Sequence, residues 1–167
     1  DSRVITKTKS RNGDVWKFRD PLTLSYTHPN ERVLLSPGRD ANPFFHLYEA
    51  MWMLAGRNDV APLRFYNSRI SDFSDDGETF NGAYGYRWRS FVIEGCSQSQ
   101  EFDQLDILVK HLKEQPNSRR AVLQMWNVED DLLKVNDSKD VCCNLSVKFS
   151  IREELDKGSG LEESTVT

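Results

Sequence analysis

Three cysteines in 167 residues, two of them adjacent, are too few for a disulfide framework, so a reducing compartment, the cytoplasm, is expected. Three histidines (His28, His46 and His111) share no ligand spacing with those cysteines, and no metal centre is expected. Basic residues are not in excess. The 22 Lys and Arg are outnumbered by 26 Asp and Glu, leaving a net charge of −4 and no basic stripe for nucleic acid. No apolar run approaches membrane-spanning length, and no secretory h-region occurs. The glycines make no phosphate-binding loop pattern.

What is present is a chain of one-domain length, residues 1–167, large enough for a continuous core. Both ends read as cut. Asp1 stands where methionine would, and Ser164-Thr165-Val166-Thr167 is a β-branched run after a hairpin turn at Gly158-Ser159-Gly160. Part of a longer protein is therefore expected.

Local patterning alternates between strand and helix signals. Residues 2–8 and 14–19 alternate about Ser10-Arg11-Asn12-Gly13, a hairpin signal, and short β runs are expected at 22–27 and 33–36. Asn42-Pro43 opens a helix that runs to about Ala55, with Gly56 as its stop. A polar stretch from Asn67 to Asn81 reads as an ordered surface loop. A second helix is expected over roughly 101–114, with Phe102, Leu105, Leu108 or Val109, and Leu112 on one face. Strands follow at 121–126 and from Leu145 to Ile151, flanking an acidic loop at 127–141. Helices and strands fall in separate groups, which favours an α+β fold.

Three places carry candidate chemistry. Cys142-Cys143-Asn144 stands at the entrance of the last strand, where a rigid element can aim a nucleophile. Ser118-Arg119-Arg120 opens the strand before it; arginines beside a thiol favour the thiolate and can grip a phosphate. A buried structural cysteine and two solvated arginines explain the same residues equally well. Glu49 shares a helix face with Phe45, Trp52 and Met53, so its carboxyl either finds partners, holds a raised pKa suited to proton transfer, or reaches water. Tyr84 lies between Gly82 and Gly85, which permit a sharp path and close approach of a ligand, or an aromatic turn packed on the core.

Taken together, these segments resemble the thymidylate synthase family, in the form common among phage sequences. The matching pieces, in family order, are Ser10-Arg11-Asn12-Gly13; Asn42-Pro43-Phe44-Phe45 leading to Glu49-Ala50-Met51-Trp52-Met53-Leu54-Ala55-Gly56; Gly82-Ala83-Tyr84-Gly85-Tyr86-Arg87-Trp88-Arg89; Asp103-Gln104-Leu105 through Arg119-Arg120 to Met125-Trp126-Asn127; and Cys143-Asn144. The resemblance implies a thymidylate synthase-like α+β fold, with helices packed on a mixed sheet and a homodimer formed through the sheet's back face. It implies that Cys143 adds to C6 of a deoxypyrimidine 5′-monophosphate, so that C5 can accept a one-carbon unit from 5,10-methylenetetrahydrofolate. Glu49 matches the glutamate that organises water and proton transfer, and Tyr84 a tyrosine linked to proton removal from C5. Arg119 and Arg120 match the pair that grips the phosphate across the dimer, and Arg11 the phosphate-binding arginine of the N-terminal loop. Asn144 is expected against the substrate.

Departures from the family pattern bear on the product. Cys142 stands where the family usually has proline, which makes it a rival nucleophile; the Asn144 match and strand alternation favour Cys143. Asn144 itself replaces a histidine frequent in cellular members. Where cellular members have tryptophans beside the folate, this chain offers Ile70 and Phe73, which leaves room for water. Folate-dependent methylation of deoxyuridylate ranks first on the resemblance. Hydroxymethyl transfer to deoxyuridylate or deoxycytidylate ranks second, and a non-catalytic, truncated member is the rival from another class.

Overall fold

The computed structural model of the chain describes residues 5–10, 13–28, 30, 36–94, 99–133 and 138–151. Arg11, Asn12, residues 33–35 of an expected strand and the turn at 158–160 lie outside the described residues.

β1 (Ile5–Ser10) and β2 (Gly13–Phe18) form the expected hairpin, with Ser10 opposite Gly13. Gly13 has φ of 100°, a conformation glycine adopts at no steric cost, and the Ser10 hydroxyl donates to its carbonyl at 2.8 Å. Residues 22–27 join no ladder among the described residues. α1 (Pro43–Leu54) begins where asparagine capping predicts: Asn42 Oδ1 accepts the amides of Phe44 and Phe45, each at 3.1 Å. It ends through Ala55 onto Gly56 at φ 68°, a left-handed stop.

Beyond α1, the chain is more helical than its polar composition suggests. α2 (Ala61–Tyr66) and a 3-10 turn (Ser68–Phe73) precede the ordered loop, where Asp76 accepts the amides of Glu78 and Thr79. The expected turn at Tyr84 is instead α3 (Tyr84–Arg89). Its glycine serves helix packing rather than a ligand. A Cβ on Gly85 would lie 2.0 Å from the carbonyl oxygen of Met53 and 2.4 Å from its Cα, so only glycine lets α3 meet the backbone of α1. Gly85→Ala is accordingly expected to cost at least the roughly 1–3 kcal/mol of ordinary overpacking. A urea midpoint unchanged by that substitution would contradict this packing.

β3 (Phe91–Glu94) pairs with β4 (Ser99–Phe102), and the strand takes the residues expected to open the second helix. α4 (Gln104–Glu114) starts about three residues later than expected, capped by Asp103, whose carboxylate accepts the Asp106 amide at 2.9 Å. Leu108 and Leu112 face inward and Val109 outward. β5 (Val122–Gln124) pairs with β6 (Ser146–Lys148), both shorter than their alternation suggests.

The α+β composition is observed, but the mixed sheet is not. All three ladders among the described residues are antiparallel and two-stranded. Leu145, Val147, Phe149 and Ile151 are all at least partly exposed, so the last strand is not half-buried as its alternation suggests. Two buried clusters lie on either side of α3. Trp52, Val60, Leu63, Phe80 and Ala83 form one; Leu108, Leu112, Ala121 and Leu123, with Trp88 against them, form the other. Tyr84, at the first turn of α3, therefore lies beside the α1 cluster, where the candidate site opens.

Candidate functional site

Glu49 from α1, Tyr84 from α3, and Asp140 and Cys143 from the segment ahead of β6 line one cleft of about 190 Å³. Its remaining wall is apolar and includes Trp52, Ile70, Phe73 and Phe80. They come from three segments distant in sequence, which the packing of α1 on α3 and the hydrogen bond from the Gly82 amide to Asp140 bring together. Burial pushes the Glu49 carboxyl above its ordinary value, against an opposing pull from His46. The Tyr84 phenol is raised too, first by burial and then by the Cys143 and Cys142 thiols. It stays protonated at neutral pH.

The two adjacent thiols have different surroundings. Cys143 is exposed in the cleft, whereas Cys142 is buried and donates to the Asn144 carbonyl at 3.2 Å. Burial pushes the Cys142 thiol up to about 11, despite the Arg87 charge nearby. A thiol in that state is a packing group rather than a nucleophile.

Two devices hold this segment, and neither was visible in the sequence. Asp131, inside a π-helical turn (Glu129–Leu133), accepts the Asn127 amide at 2.8 Å and the Cys142 amide at 3.4 Å. Proline, usual at this position in the resembled family, has no amide to offer Asp131. The Asp131 carboxylate also pairs with buried Arg87, whose guanidinium donates to the carbonyls of Met125 at 2.8 Å and Asn81 at 3.0 Å. Burial raises the Asp131 carboxyl, but Arg87 and the Asn127 amide outweigh it and the net shift is downward. The second device is Asp140, whose Oδ2 accepts the Gly82 amide at 2.7 Å. A Cβ on Gly82 would stand 3.0 Å from the Cys142 nitrogen and 3.1 Å from Asp140 Oδ1. Its bareness thus serves close approach of the cysteine segment, and no ligand is needed to explain it.

Within one chain the arginines are not brought to the thiol. Arg119 and Arg120 are exposed in the turn before β5, where the Arg120 amide donates to Ser118 Oγ at 3.2 Å. Across the β5–β6 ladder, the Ala121 carbonyl accepts the Phe149 amide, whereas the Met125 amide reaches Leu145 at the far end. The ladder from Ala121 to Met125 spans about four residue rises, ~14 Å, and the arginines and Cys143 lie beyond its opposite ends, farther apart than that. The expected juxtaposition of these arginines with the thiol is therefore not found within a single chain. Asn144 is exposed beside Cys143. Among the described residues no helix is long and apolar enough to cross a membrane, and no group of three metal-ligating side chains comes together.

A cysteine facing a carboxyl and a phenol in an apolar cleft is the arrangement the sequence resemblance implies, and comparison with known proteins agrees on the class. Residues 26–161 match the sequence model of thymidylate synthase, and the chain belongs to the thymidylate synthase family. Among curated proteins it is similar to a deoxyuridylate hydroxymethyltransferase of Pseudomonas phage M6, 48% identical over 142 residues. It is also similar to a deoxyuridylate hydroxymethyltransferase of Bacillus phage SP01, 36% identical over 157 residues. These alignments cover 85% and 89% of this chain, and it spans only 38% and 41% of the two relatives.

Proposed function

We propose that the protein transfers a hydroxymethyl group from a folate to C5 of deoxyuridine 5′-monophosphate, with Cys143 as the nucleophile. The observation that carries this reading is the exposed Cys143 thiol in one cleft with Glu49 and Tyr84. On sequence alone methylation ranks first. The order is reversed here because both relatives are named as deoxyuridylate hydroxymethyltransferases. The cleft wall is consistent with that. Ile70 and Phe73 occupy it, and the one tryptophan among its described lining residues, Trp52, is buried with its indole N–H committed to Asp59.

The cleft suits a pyrimidine ring, and the part-exposed ring of Phe73 offers an apolar face for a pteridine to stack on. When bound, 5,10-methylenetetrahydrofolate would supply a carbon at the oxidation level of formaldehyde, held by Ile70, Phe73 and Glu49. In the proposed reaction the Cys143 sulfur bonds to C6 of the pyrimidine, and the displaced electron pair makes C5 nucleophilic. Glu49, raised by burial, holds a proton at higher pH than an ordinary carboxyl and can exchange it with water in the cleft. Tyr84 stays a phenol, so it accepts the C5 proton only in relay, passing its own onward. Re-formation of the C5–C6 double bond expels the Cys143 thiolate.

Arg119 and Arg120, beyond the opposite end of the ladder from the sulfur, fit the phosphate of a nucleotide held by a second copy, as in a homodimer. Their planar guanidinium groups suit a dianionic phosphate. Arg11 and Asn144 remain substrate-binding candidates on the resemblance.

Product analysis tests the reading. Full-length protein given C5-tritiated deoxyuridylate and methylenetetrahydrofolate is expected to release tritium, form 5-hydroxymethyl nucleotide and leave tetrahydrofolate. A 5-methyl product with dihydrofolate would return the assignment to methylation, and absence of tritium release would favour a non-catalytic member.

A further inference from the structure

One part-buried polar contact outside the cleft stands directly behind the arginine pair. We propose that His111 is a positioning residue for nucleotide binding, whose hydrogen bond to Ser118 holds the turn carrying Arg119 and Arg120 in the shape that grips a phosphate, a role that rests on the phosphate binding proposed for that pair.

The contact is short and joins a rigid element to a loop. His111 Nε2 and Ser118 Oγ are 2.6 Å apart, a hydrogen bond in either tautomer of the imidazole. His111 lies in the last turn of α4, beside buried Leu112 and one turn after buried Leu108, so helix packing fixes where its ring stands. Ser118 Oγ also accepts the Arg120 amide at 3.2 Å. A hydroxyl has one donor and two acceptor positions, so it serves ring and amide together. Through that one hydroxyl, α4 is joined to the backbone of Arg120. Backbone bonds complete the turn: the Ser118 amide donates to the Gln115 carbonyl at 3.0 Å, and the Val122 amide to the Arg120 carbonyl at 2.8 Å. A histidine that only closed the helix would bond a carbonyl of the last turn. This ring instead bonds forward, to the hydroxyl beneath Arg120.

Such a link matters because the guanidinium groups themselves are not held. Arg119 and Arg120 are exposed, and among the described residues neither enters an ion pair. Long side chains lose rotamer freedom when they close on a phosphate, and a backbone already fixed in place keeps that cost from growing. Pro116 and Asn117 are exposed too, so the turn has little burial of its own to make it rigid. His111 and Arg120 line one cavity of about 520 Å³, with Gln104 and Gln124 in the same wall. The two glutamines are committed elsewhere: Gln104 donates to the carbonyls of Arg87 at 3.0 Å and Gln124 at 2.8 Å, and the Gln124 side chain to that of Trp126 at 2.9 Å. Among these side chains the imidazole is the one that reaches the arginine turn.

Nucleotide kinetics with the full-length protein test the role. His111→Ala is expected to raise KM for deoxyuridylate about ten-fold with kcat kept, the signature of lost uniform binding. Inhibition by inorganic phosphate should weaken by the same factor, because the defect lies at the phosphate and not at the pyrimidine. His111→Gln, which keeps a hydrogen-bonding nitrogen within reach of Ser118, should restore both. Ser118→Ala breaks the same bond from the other side, and the double variant should bind no more weakly than either single. Ser118→Ala also carries the test if His111→Ala does not fold. A wild-type KM in both single variants would overturn the role and leave the proposed reaction intact. A glutamine variant as impaired as the alanine one, or a fall in kcat with phosphate inhibition unchanged, would overturn it too, since His111 would then be a packing group. Arg120→Ala with wild-type KM and phosphate inhibition would remove the arginine's phosphate role, and that of His111 with it, while turnover continued. A protein that releases no tritium from C5-tritiated deoxyuridylate fails the proposed function. The same ratios, read as dissociation constants by calorimetry, then still decide the part played by His111.

Discussion

Cys143→Ala is expected to abolish covalent capture of 5-fluorodeoxyuridylate in the presence of methylenetetrahydrofolate, while Cys142→Ala leaves capture intact. The thiolate is the attacking species, so the adjacent sulfurs are separated by ionisation and access. Burial lifts the Cys142 thiol to about 11. At neutral pH on the order of one such thiol in ten thousand is ionised, and the sulfur is turned to the Asn144 carbonyl, inside the fold. Cys143 is exposed and lines the cleft with Glu49 and Tyr84. The mass of the nucleotide–protein adduct, mapped by peptide, decides the matter. An adduct on Cys143→Ala, or its loss in Cys142→Ala alone, would refute the assignment.

The same contrast shows how far the sequence could be read. Asn42 before Pro43, with Gly56 just past the C-cap Ala55, located α1 because capping is a local property. The placement of Glu49 on the apolar side of that helix followed from helical spacing, and the structure finds it half-buried with a raised carboxyl. Local rules failed where long-range packing decides. Tyr84–Arg89 reads as a turn because its glycines suggest one, yet Gly85 is there to clear the backbone of Met53. Alternation over Leu145–Ile151 overstated β6, since a period of two reports amphipathic patterning and not the presence of a covering layer. Arg87 and Asp131 lay in segments read as an aromatic motif and a solvated acidic loop. Nothing local marks a charge as buried, and their pairing spans 44 positions.

Arg87→Ala or Asp131→Ala alone is expected to destabilise the protein by roughly 3–5 kcal/mol, because either change strands a buried charge. The side chains are only 7% and 0% exposed, so water does little to screen the loss. The pH dependence has a defined sign. The folded Asp131 carboxyl sits below its ordinary value of 3.8, so its contribution is complete above that value and disappears as pH falls through the lower folded one. The stability gap between wild type and Asp131→Asn should therefore shrink in acid, as followed by urea unfolding. Apolar replacement of a whole buried pair is often neutral elsewhere, but here the pair also serves four backbone groups. The Met125 and Asn81 carbonyls would lose their donor, and the Asn127 and Cys142 amides their acceptor. At about 1–3 kcal/mol for each buried group left unpaired, an Arg87→Met, Asp131→Leu double variant should recover little. It should also capture 5-fluorodeoxyuridylate more slowly, because the amide immediately before Cys143 is then untethered. A double variant as stable and as reactive as wild type would show that the pair neither holds the fold nor aims the sulfur.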